Sequence, residues 1–254
     1  MVPAGFDMTG KVALLTGAGR GIGLAIAKQF AAAGCAVAIQ DIDLSVAQTA
    51  ATEIERVGGR AMAIDGDAGD LALAARCVAA VQRELGGLHV LVNNAAIQQR
   101  ADWLTQDPAE MLHTLSTNLV SPILFCRAAV PIFRAQRWGR ILNIGSIQGR
   151  SGNIGMLPYS LSKSALATFT KALARELGRD GITVNCIAPG WIASTLRNRN
   201  DFSSEQDKKD KGKRLTAGRV GEPEDMAGMA LTLCTDAGAY VTGQTIYVDG
   251  GMSA

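Results

Sequence analysis

The residues best suited to chemistry are a tyrosine and a lysine four positions apart, Tyr159 and Lys163, in a helix-like stretch that runs to residue 177. Side chains four residues apart lie on the same face of an α-helix, so the phenol and the ammonium should point the same way. A nearby cation favours the phenolate and lowers a tyrosine pKa from its ordinary value of about 10. Such a tyrosine can serve as a general acid or base. An isolated Tyr-x-x-x-Lys also fits an amphipathic helix with one exposed lysine, so the rest of the chain has to decide.

The composition restricts the class of protein. The chain has 254 residues, 48% of them hydrophobic, 19% charged and 29 of them glycine, which is typical of a single α/β domain over residues 1–254. We find no apolar run that approaches a membrane span and no secretory signal, and so expect a cytoplasmic location. A net charge of +2 and a basic cluster interleaved with acids argue against nucleic acid. The five cysteines form no C-x-x-C pair and the two histidines lack ligand spacing, so no metal site is expected.

The first motif is a glycine-rich turn, GAGRGIG at residues 17–23, between an apolar strand at 11–16 and a helix at 24–33. Glycines at such a turn let a diphosphate approach the backbone and the N–H groups at the start of the helix. The position of the motif between strand and helix predicts a dinucleotide site.

The second strand, residues 36–40, ends at Asp41, about 20 residues beyond the glycine turn. A carboxylate there binds ribose hydroxyls and repels a 2′-phosphate, which favours NAD. Arg20, inside the glycine turn, could meet that phosphate and keeps NADP as the alternative. Asp43 is interpreted only as a cap for the helix that begins near Leu44.

Strands then alternate with helices, which predicts a parallel sheet. The expected helices are at residues 44–57, 71–85, 109–135, 159–177 and 222–234, and the later strands at 61–64, 88–92, 139–144, 182–187 and 244–248. Ligands of open α/β sheets lie at the carboxyl ends of the strands, so Asp67 with Ala68 and Asn94 with Ala95 should face the cofactor. The alternatives are a plain turn for Asp67 and a loop-tying role for the asparagines.

Two segments have unusual patterns. Asn118 lies within the helix at 109–135, where Pro122 should distort the backbone. Its amide either makes a hydrogen bond within the helix or helps to hold a water at the kink. Residues 193–215 are polar and weakly patterned, which is typical of a mobile substrate lid.

Taken together, TGxxxGIG at 16–23, NNA at 93–95, Asn118, Ser146, Tyr159-x-x-x-Lys163 and Pro189-Gly190 give the chain a strong resemblance to the short-chain dehydrogenase/reductase family. The resemblance covers essentially the whole chain. It implies a Rossmann-type doubly wound seven-stranded parallel sheet, a homotetramer, and hydride transfer between a nicotinamide cofactor and an alcohol or carbonyl.

The resemblance also implies roles for single residues. Tyr159 would be the acid/base, Lys163 would lower its pKa and bind the nicotinamide ribose, Ser146 would hold the substrate oxygen, and Asn118 would anchor a water. The expected cofactor-binding residues are Gly17, Arg20, Gly21, Ile22, Gly23, Asp41, Asp67, Ala68, Asn94, Ala95, Tyr159, Lys163, Pro189, Gly190, Ile192 and Ser194. The family's usual NNAG reads NNAA here, and Ser194 or Thr195 stands at the usual threonine.

The substrate class follows from loops at 97–100 and 147–153, which are polar and similar to those of gluconate 5-dehydrogenases and related sugar or polyol dehydrogenases. Ser146, Gln148, Asn153 and Tyr159 are the expected substrate-binding residues. Arg100 or Arg150 either holds a carboxylate or is a surface arginine. A 3-oxoacyl-carrier-protein reductase, which would prefer NADPH and use the basic lid for docking, and a catalytically silent cofactor-sensing regulator are the alternatives.

Overall fold

The computed structural model of the chain describes residue 3 and residues 5–193 and 204–254. The strands are β1 Val12–Thr16, β2 Ala36–Asp41, β3 Arg60–Asp65, β4 Val90–Asn93, β5 Gly139–Ile144, β6 Ile182–Pro189 and β7 Thr245–Val248. The α-helices are α1 Gly21–Ala32, α2 Leu44–Arg56, α3 Leu73–Leu85, α4 Pro108–Leu115, α5 Ser121–Gln136, α6 Gln148–Ser151, α7 Leu157–Leu177, α8 Glu205–Gly212 and α9 Glu224–Cys234.

The strands form one sheet in the order β3-β2-β1-β4-β5-β6-β7, and every neighbouring pair is parallel. The chain builds β1 to β3 outward in one direction and then returns to place β4 on the other side of β1. Such a reversal leaves a crevice at the carboxyl ends of β1 and β4, where α/β proteins bind ligands. The predicted fold class, a doubly wound seven-stranded parallel sheet in a single domain, is confirmed.

Two cores explain why the central strands are apolar on both faces. Helices α1, α2 and α9 cover one face, with Phe30 and Ile54 among the buried side chains. Helices α3, α5 and α7 cover the other, with Phe125 and Phe133 in its core. Because both faces of β1, β2 and β4 are buried, these strands are apolar up to the polar residues at their carboxyl ends and do not alternate with polar residues.

The predicted helix at 109–135 is interrupted where Pro122 indicated a distortion. A π-helical turn at Ser116–Val120 separates α4 from α5 and contains Asn118. Within the run Pro108–Gln136, which has 29 residues, an 18-residue window reaches a mean hydropathy of 1.3, which by length and composition alone is enough to cross a membrane. A helix in the core of a folded domain passes the same test, so this run by itself does not contradict the expectation of no membrane span. The apolar residues of α5 include Phe125 and Phe133 of the core.

Two helices were not expected. Helix α6 lies between β5 and α7, and α8 lies inside the predicted lid at 193–215. The Ser204 side chain accepts a hydrogen bond from the Asp207 N–H and so caps α8, a signal that is present in the sequence. Of the predicted lid, residues 194–203 are outside the described residues.

Candidate active site

A cavity of about 440 Å³ lies at the carboxyl ends of the strands, at the crevice between β1 and β4. The predicted residues that line it are Gly17, Arg20, Gly21, Ile22, Asp41, Asp67, Ala68, Asn94, Ala95, Ser146, Tyr159, Lys163, Pro189, Gly190 and Ile192. Among the residues that the structure describes, Gly23, Asn118, Gln148 and Asn153 are predicted site residues that do not line the cavity. Ser194 lies outside the described residues.

Tyr159 and Lys163 lie on one face of α7, as their spacing predicts, and both side chains are buried. The Lys163 ammonium lies 5.7 Å from the centre of the Tyr159 ring. Its Nζ donates a hydrogen bond of 2.7 Å to the Ile144 carbonyl at the end of β5. This bond anchors the lysine to the sheet and fixes its position beside the phenol.

Burial changes the protonation of Lys163. The side chain is only 3% exposed, and removing the ammonium from water lowers its pKa to about 8. Cys186 on β6 is close enough to interact with the amine, but burial raises the pKa of that thiol to about 11. Lys163 is therefore a cation that loses its proton far more easily than a surface lysine.

Ser146 lines the cavity one residue beyond Gly145, at the end of β5. Its Oγ accepts a hydrogen bond of 3.2 Å from the Gln148 backbone N–H. That contact leaves the hydroxyl proton to be donated to another oxygen. Gln148, predicted as a substrate-binding side chain, thus acts on Ser146 through its backbone, and Asn153 is exposed on the following turn.

The Asn118 side chain is almost fully buried and makes three hydrogen bonds. Its Oδ1 accepts from the Ile97 N–H at 2.9 Å, and its Nδ2 donates to the Ile97 carbonyl at 2.9 Å and to the Ser162 hydroxyl at 3.2 Å. Ser162 in turn donates to the Tyr159 carbonyl. Asn118 therefore positions the loop after β4 against α7. Its expected part in a proton route through water remains a prediction.

The glycine turn adopts the conformation that its sequence predicts. Gly17 and Gly21 both have φ of +58°, a region that favours glycine. A Cβ atom on Gly17 would lie 2.7 Å from the Ala95 Cα, so the turn packs directly on the loop after β4. Helix α1 begins after Arg20 with no side-chain cap and no acidic residue in its first turn. Its first N–H groups are therefore suited to hold an anion.

Asp41 stands at the end of β2 on the cavity wall and is nearly buried. Its Oδ2 accepts from the Gly19 N–H at 3.1 Å, and its Oδ1 from the Asp43 N–H at 3.2 Å. The carboxylate is thus held in place by two loops. Arg20 lines the same cavity. Asp43 caps α2 by accepting from the Ser45 N–H, as expected.

The paired asparagines tie strands and loops together, the alternative left open by the sequence. The Asn93 amide donates to Asn143 on β5. The Asn94 amide donates to the carbonyls of Thr16 and Gly17, which holds the glycine turn against the end of β4. Asn94 also lines the cavity, so a structural and a binding role coexist at this residue.

Asp67 also combines the two interpretations offered for it. Its Oδ1 accepts from the Gly69 N–H at 2.8 Å, the hydrogen bond of a plain turn, and the residue lines the cavity. Arg150 fits the surface interpretation, since its guanidinium donates to the Ser253 carbonyl near the carboxyl end of the chain and lies over Tyr247. Arg100 is exposed.

Other residues of the cavity wall were not assigned individually from the sequence, although Ile97 and Gln98 belong to the loop at 97–100: Gln40, Ile42, Gly66, Ala96, Ile97, Gln98, His113, Thr117, Ile144 and Gly145. Gln40 is buried in β2, and its amide accepts from the Gly17 N–H and donates to the Gly66 carbonyl. It therefore links the glycine turn to the loop after β3. A polar residue within a buried apolar strand was the available signal. His113 and Thr117 lie one helical turn apart, a spacing that was available too.

A nicotinamide dinucleotide fits these residues. The cavity extends from Asp41 and Ala68 to Tyr159 and Lys163, and the uncapped N-terminus of α1 lies along it. A Cβ atom on Gly19 would come within 2.9 Å of the Asp41 carboxylate. Only a glycine therefore lets the turn approach Asp41 this closely. When bound, the nicotinamide would supply hydride transfer.

Fold and site together are those expected of an α/β oxidoreductase: a cavity at the switch point of the sheet that suits a dinucleotide is lined by Ser146, Tyr159 and Lys163. A sequence model for the family described as enoyl-(acyl carrier protein) reductase matches residues 17–253. The chain belongs to the short-chain dehydrogenase/reductase family, which confirms the resemblance. It is accordingly a nicotinamide-dependent oxidoreductase that acts on hydroxyl or keto groups.

The names of similar proteins indicate two different substrate classes. The 3-oxoacyl-(acyl-carrier-protein) reductase of Aquifex aeolicus is 35% identical over 246 residues, which cover 96% of this chain and 98% of the relative. A gluconate 5-dehydrogenase from Burkholderia cenocepacia, solved with NADP and tartrate, is 33% identical with a TM-score of 0.91 and covers 98% of this chain and 97% of its own. A short-chain type dehydrogenase/reductase from Mycobacterium marinum is 33% identical with a TM-score of 0.91 over 98% of both chains.

Proposed function

We propose that this enzyme transfers a hydride between NAD and a secondary alcohol or ketone of a sugar, polyol or sugar acid. The observation that carries the substrate class is the pair of polar side chains, Gln98 and Ser146, that line the same cavity as Tyr159. A steroid or long acyl chain is best bound by apolar walls, whereas hydroxyl-rich ligands need donors and acceptors. The gluconate 5-dehydrogenase among the structural neighbours supports the same class.

The proposed chemistry is carried by three side chains. In alcohol oxidation, the Tyr159 oxygen takes the hydroxyl proton as the carbon that bears the hydroxyl gives up its hydride, and the C–O bond becomes C=O. A bound NAD would accept the hydride. The Ser146 hydroxyl donates to the substrate oxygen and orients it. The positive charge of Lys163, buried beside the phenol, favours the deprotonated oxygen. Carbonyl reduction is the same sequence in reverse.

Asp41 supports NAD as the cofactor. A carboxylate fixed by Gly19 and Asp43 suits two ribose hydroxyls and repels a 2′-phosphate. Arg20 on the same cavity wall, and the NADP named for the Burkholderia structure, keep NADP as the alternative. The melting temperature should rise more with NADH than with NADPH at equal concentration. A larger rise with NADPH would contradict the assignment.

The test of the function is a matrix of both cofactors against aldonates, polyols, aldoses, a steroid alcohol and a 3-oxoacyl thioester. We expect the highest kcat/KM with NAD and a polyhydroxylated substrate. Activity confined to acyl thioesters or steroids would overturn the proposal.

A second candidate is a 3-oxoacyl-carrier-protein reductase, favoured by the identity to the Aquifex aeolicus enzyme. That function requires a basic surface for the acidic carrier protein. Three lysines of the α8 region form ion pairs with their own neighbours: Lys208 with Glu222, Lys211 with Asp207 and Lys213 with Asp210. These pairs reduce the positive charge open to a carrier, so we rank this candidate second. NADPH-dependent reduction of the thioester in the same matrix would reverse the order.

We propose that four chains assemble into a homotetramer in the cytoplasm and that residues 193–215 close over the substrate. We further propose that a water beside Lys163 carries the proton to solvent, with Asn118 shaping the backbone around it.

A further inference from the structure

Gln98 has more hydrogen-bonding capacity than its surroundings use. The side chain lines the cavity and is only 7% exposed. Among the described residues its Oε1 has no hydrogen-bond partner, and its Nε2 contacts only the Met156 sulfur, at 3.9 Å. A thioether sulfur is a weak acceptor, and a side-chain amide offers two donors and an acceptor with two lone pairs.

An amide left in this state is unfavourable. Buried polar groups in native proteins nearly always have a partner, and those that lack one need a specific explanation. Leucine or methionine would fill the same space without the penalty. The unused capacity of Gln98 is explained if a ligand completes its hydrogen bonds in the working enzyme.

The position of Gln98 is fixed relative to the reacting groups. The preceding residue, Ile97, is held at both backbone polar groups by Asn118. The Ala101 N–H donates to the Gly155 carbonyl, which ties the loop after β4 to the segment that leads into α7. Met156, the contact of the amide, lies three residues before Tyr159. The amide is therefore presented from a rigid wall close to the acid/base.

We propose that Gln98 is a specificity-determining residue, which hydrogen-bonds a substrate hydroxyl other than the one that Tyr159 deprotonates. The inference rests on the proposed function, because it requires a substrate with more than one hydroxyl. An amide donates to and accepts from a hydroxyl, whereas a methylene at the same place leaves the amide unpaired. A site built in this way rejects the analogue that lacks the hydroxyl.

The test compares the polyhydroxylated substrate that wild type uses best with its analogues deoxygenated at one neighbouring carbon. For wild type, removal of the hydroxyl bound by Gln98 should lower kcat/KM by about ten-fold to a hundred-fold. In Gln98→Leu the same removal should change kcat/KM by less than about three-fold, because the partner is already lost. The ratio is taken within one variant, so a lower folded fraction does not affect it.

Gln99→Leu is the matched control. Gln99 also has a buried Oε1 without a partner among the described residues, but it does not line the cavity. Its variant should retain the wild-type ratio. The KM for the cofactor should stay unchanged in both variants, because Gln98 is placed at the substrate end.

The two possible failures differ. If wild type discriminates among the analogues and Gln98→Leu discriminates equally well, the inference is wrong and the proposed function stands. If wild type accepts every deoxy analogue equally, the inference is also wrong. If wild type uses no polyhydroxylated substrate at all and reduces acyl thioesters, the proposed function fails, and the inference fails with it.

Discussion

Lys163 is a cation buried beside Tyr159, and its burial lowers the free energy of unfolding. Its pKa falls from an ordinary 10.5 to about 8 because burial disfavours the ammonium. One pKa unit corresponds to about 1.4 kcal/mol, so the folded state is disfavoured by about 3 kcal/mol at neutral pH. The folded chain binds this proton less tightly than the unfolded chain. Stability therefore rises as the pH increases from about 8 towards 10.5, and the penalty is complete below about 8.

Replacing Lys163 by Met should abolish turnover but stabilise the apoprotein. We expect the free energy of unfolding at neutral pH to rise by roughly 1–3 kcal/mol, after the loss of the hydrogen bond to the Ile144 carbonyl is subtracted. Urea unfolding from pH 7 to 10 should show this gain shrinking as the pH rises. The control is Lys171→Met, because Lys171 is an exposed lysine on the same helix. A gain that is constant with pH would contradict a titrating Lys163.

Asp41 should determine which dinucleotide is used. In Asp41→Asn the side-chain oxygen can still accept one of the two hydrogen bonds from Gly19 and Asp43, but the negative charge is gone. We expect the ratio of kcat/KM for NAD to that for NADP to fall by about ten-fold or more. Asp43→Asn, which alters the cap of α2, should leave the ratio unchanged. An unchanged ratio in Asp41→Asn would mean that Arg20 has the larger influence.

The functional roles of residues could be predicted from the sequence where the residues belong to a recognised motif. Tyr159, Lys163 and Asp41 were identified by type and spacing and Ser146 by the family resemblance, and all four line the cavity. Gln98 was only part of a polar stretch, because no local pattern tells which side of a loop a residue faces. Gln148 and Asn153 were chosen from polar loops similar to those of sugar dehydrogenases, and neither lines the cavity.

At the scale of elements, the fit of α1 against the sheet depends on a glycine in its first turn. A Cβ atom on Gly23 would lie 2.6 Å from the Asn94 Nδ2 and 2.7 Å from the Ala18 Cα. The Ala18 backbone cannot yield without moving the glycine turn. Gly23 does not line the cavity, so its contribution to cofactor binding is to let the helix approach.

Gly23→Ala should therefore displace α1 from the turn. We expect a loss of about 1–3 kcal/mol in the free energy of unfolding and a higher KM for the cofactor, measured by urea unfolding and steady-state kinetics. Gly228→Ala is the control, because Gly228 lies in α9 with no atom within 4 Å of the added methyl group. It should stabilise by about 0.5–1 kcal/mol. Equal effects of the two changes would contradict the packing role of Gly23.

Element types followed from periodicity, but their ends and interruptions did not. Pro122 indicated a distortion near Asn118, yet no sequence rule specified a π-helical turn at Ser116–Val120. Helix α8 has almost no apolar face, so the periodicity that identifies other helices is missing there, and only the Ser204 cap marks it.

At the scale of the whole molecule, the order of the strands comes from packing rules more than from any motif. Alternating strands and helices predict a parallel sheet, and the glycine turn places β1 beside the switch point. The pairing of β1 with both β2 and β4 follows from those rules. The oligomeric state is harder to predict from the sequence, because apolar residues that lie on the surface are recognised only once the fold is known.

The exposed side of α7 supports the proposed homotetramer. Leu157 and Leu161 lie one turn apart on α7, and Leu161 is 52% exposed. Size-exclusion chromatography with light scattering should give four times the chain mass of 26.5 kDa for wild type. Leu161→Glu should lower that mass, while Leu44→Glu on α2, where the leucine is 41% exposed, should not. A monomeric wild type would contradict the proposed assembly.

The fold brings substrate and cofactor together at Tyr159, which we propose as the acid/base. The most direct measurement is kcat for Tyr159→Phe with NAD and the best substrate of wild type, alongside NADH affinity from binding titrations. Loss of the phenolic oxygen should lower kcat by about a hundred-fold or more and leave NADH affinity unchanged. Turnover within about ten-fold of wild type would contradict the account.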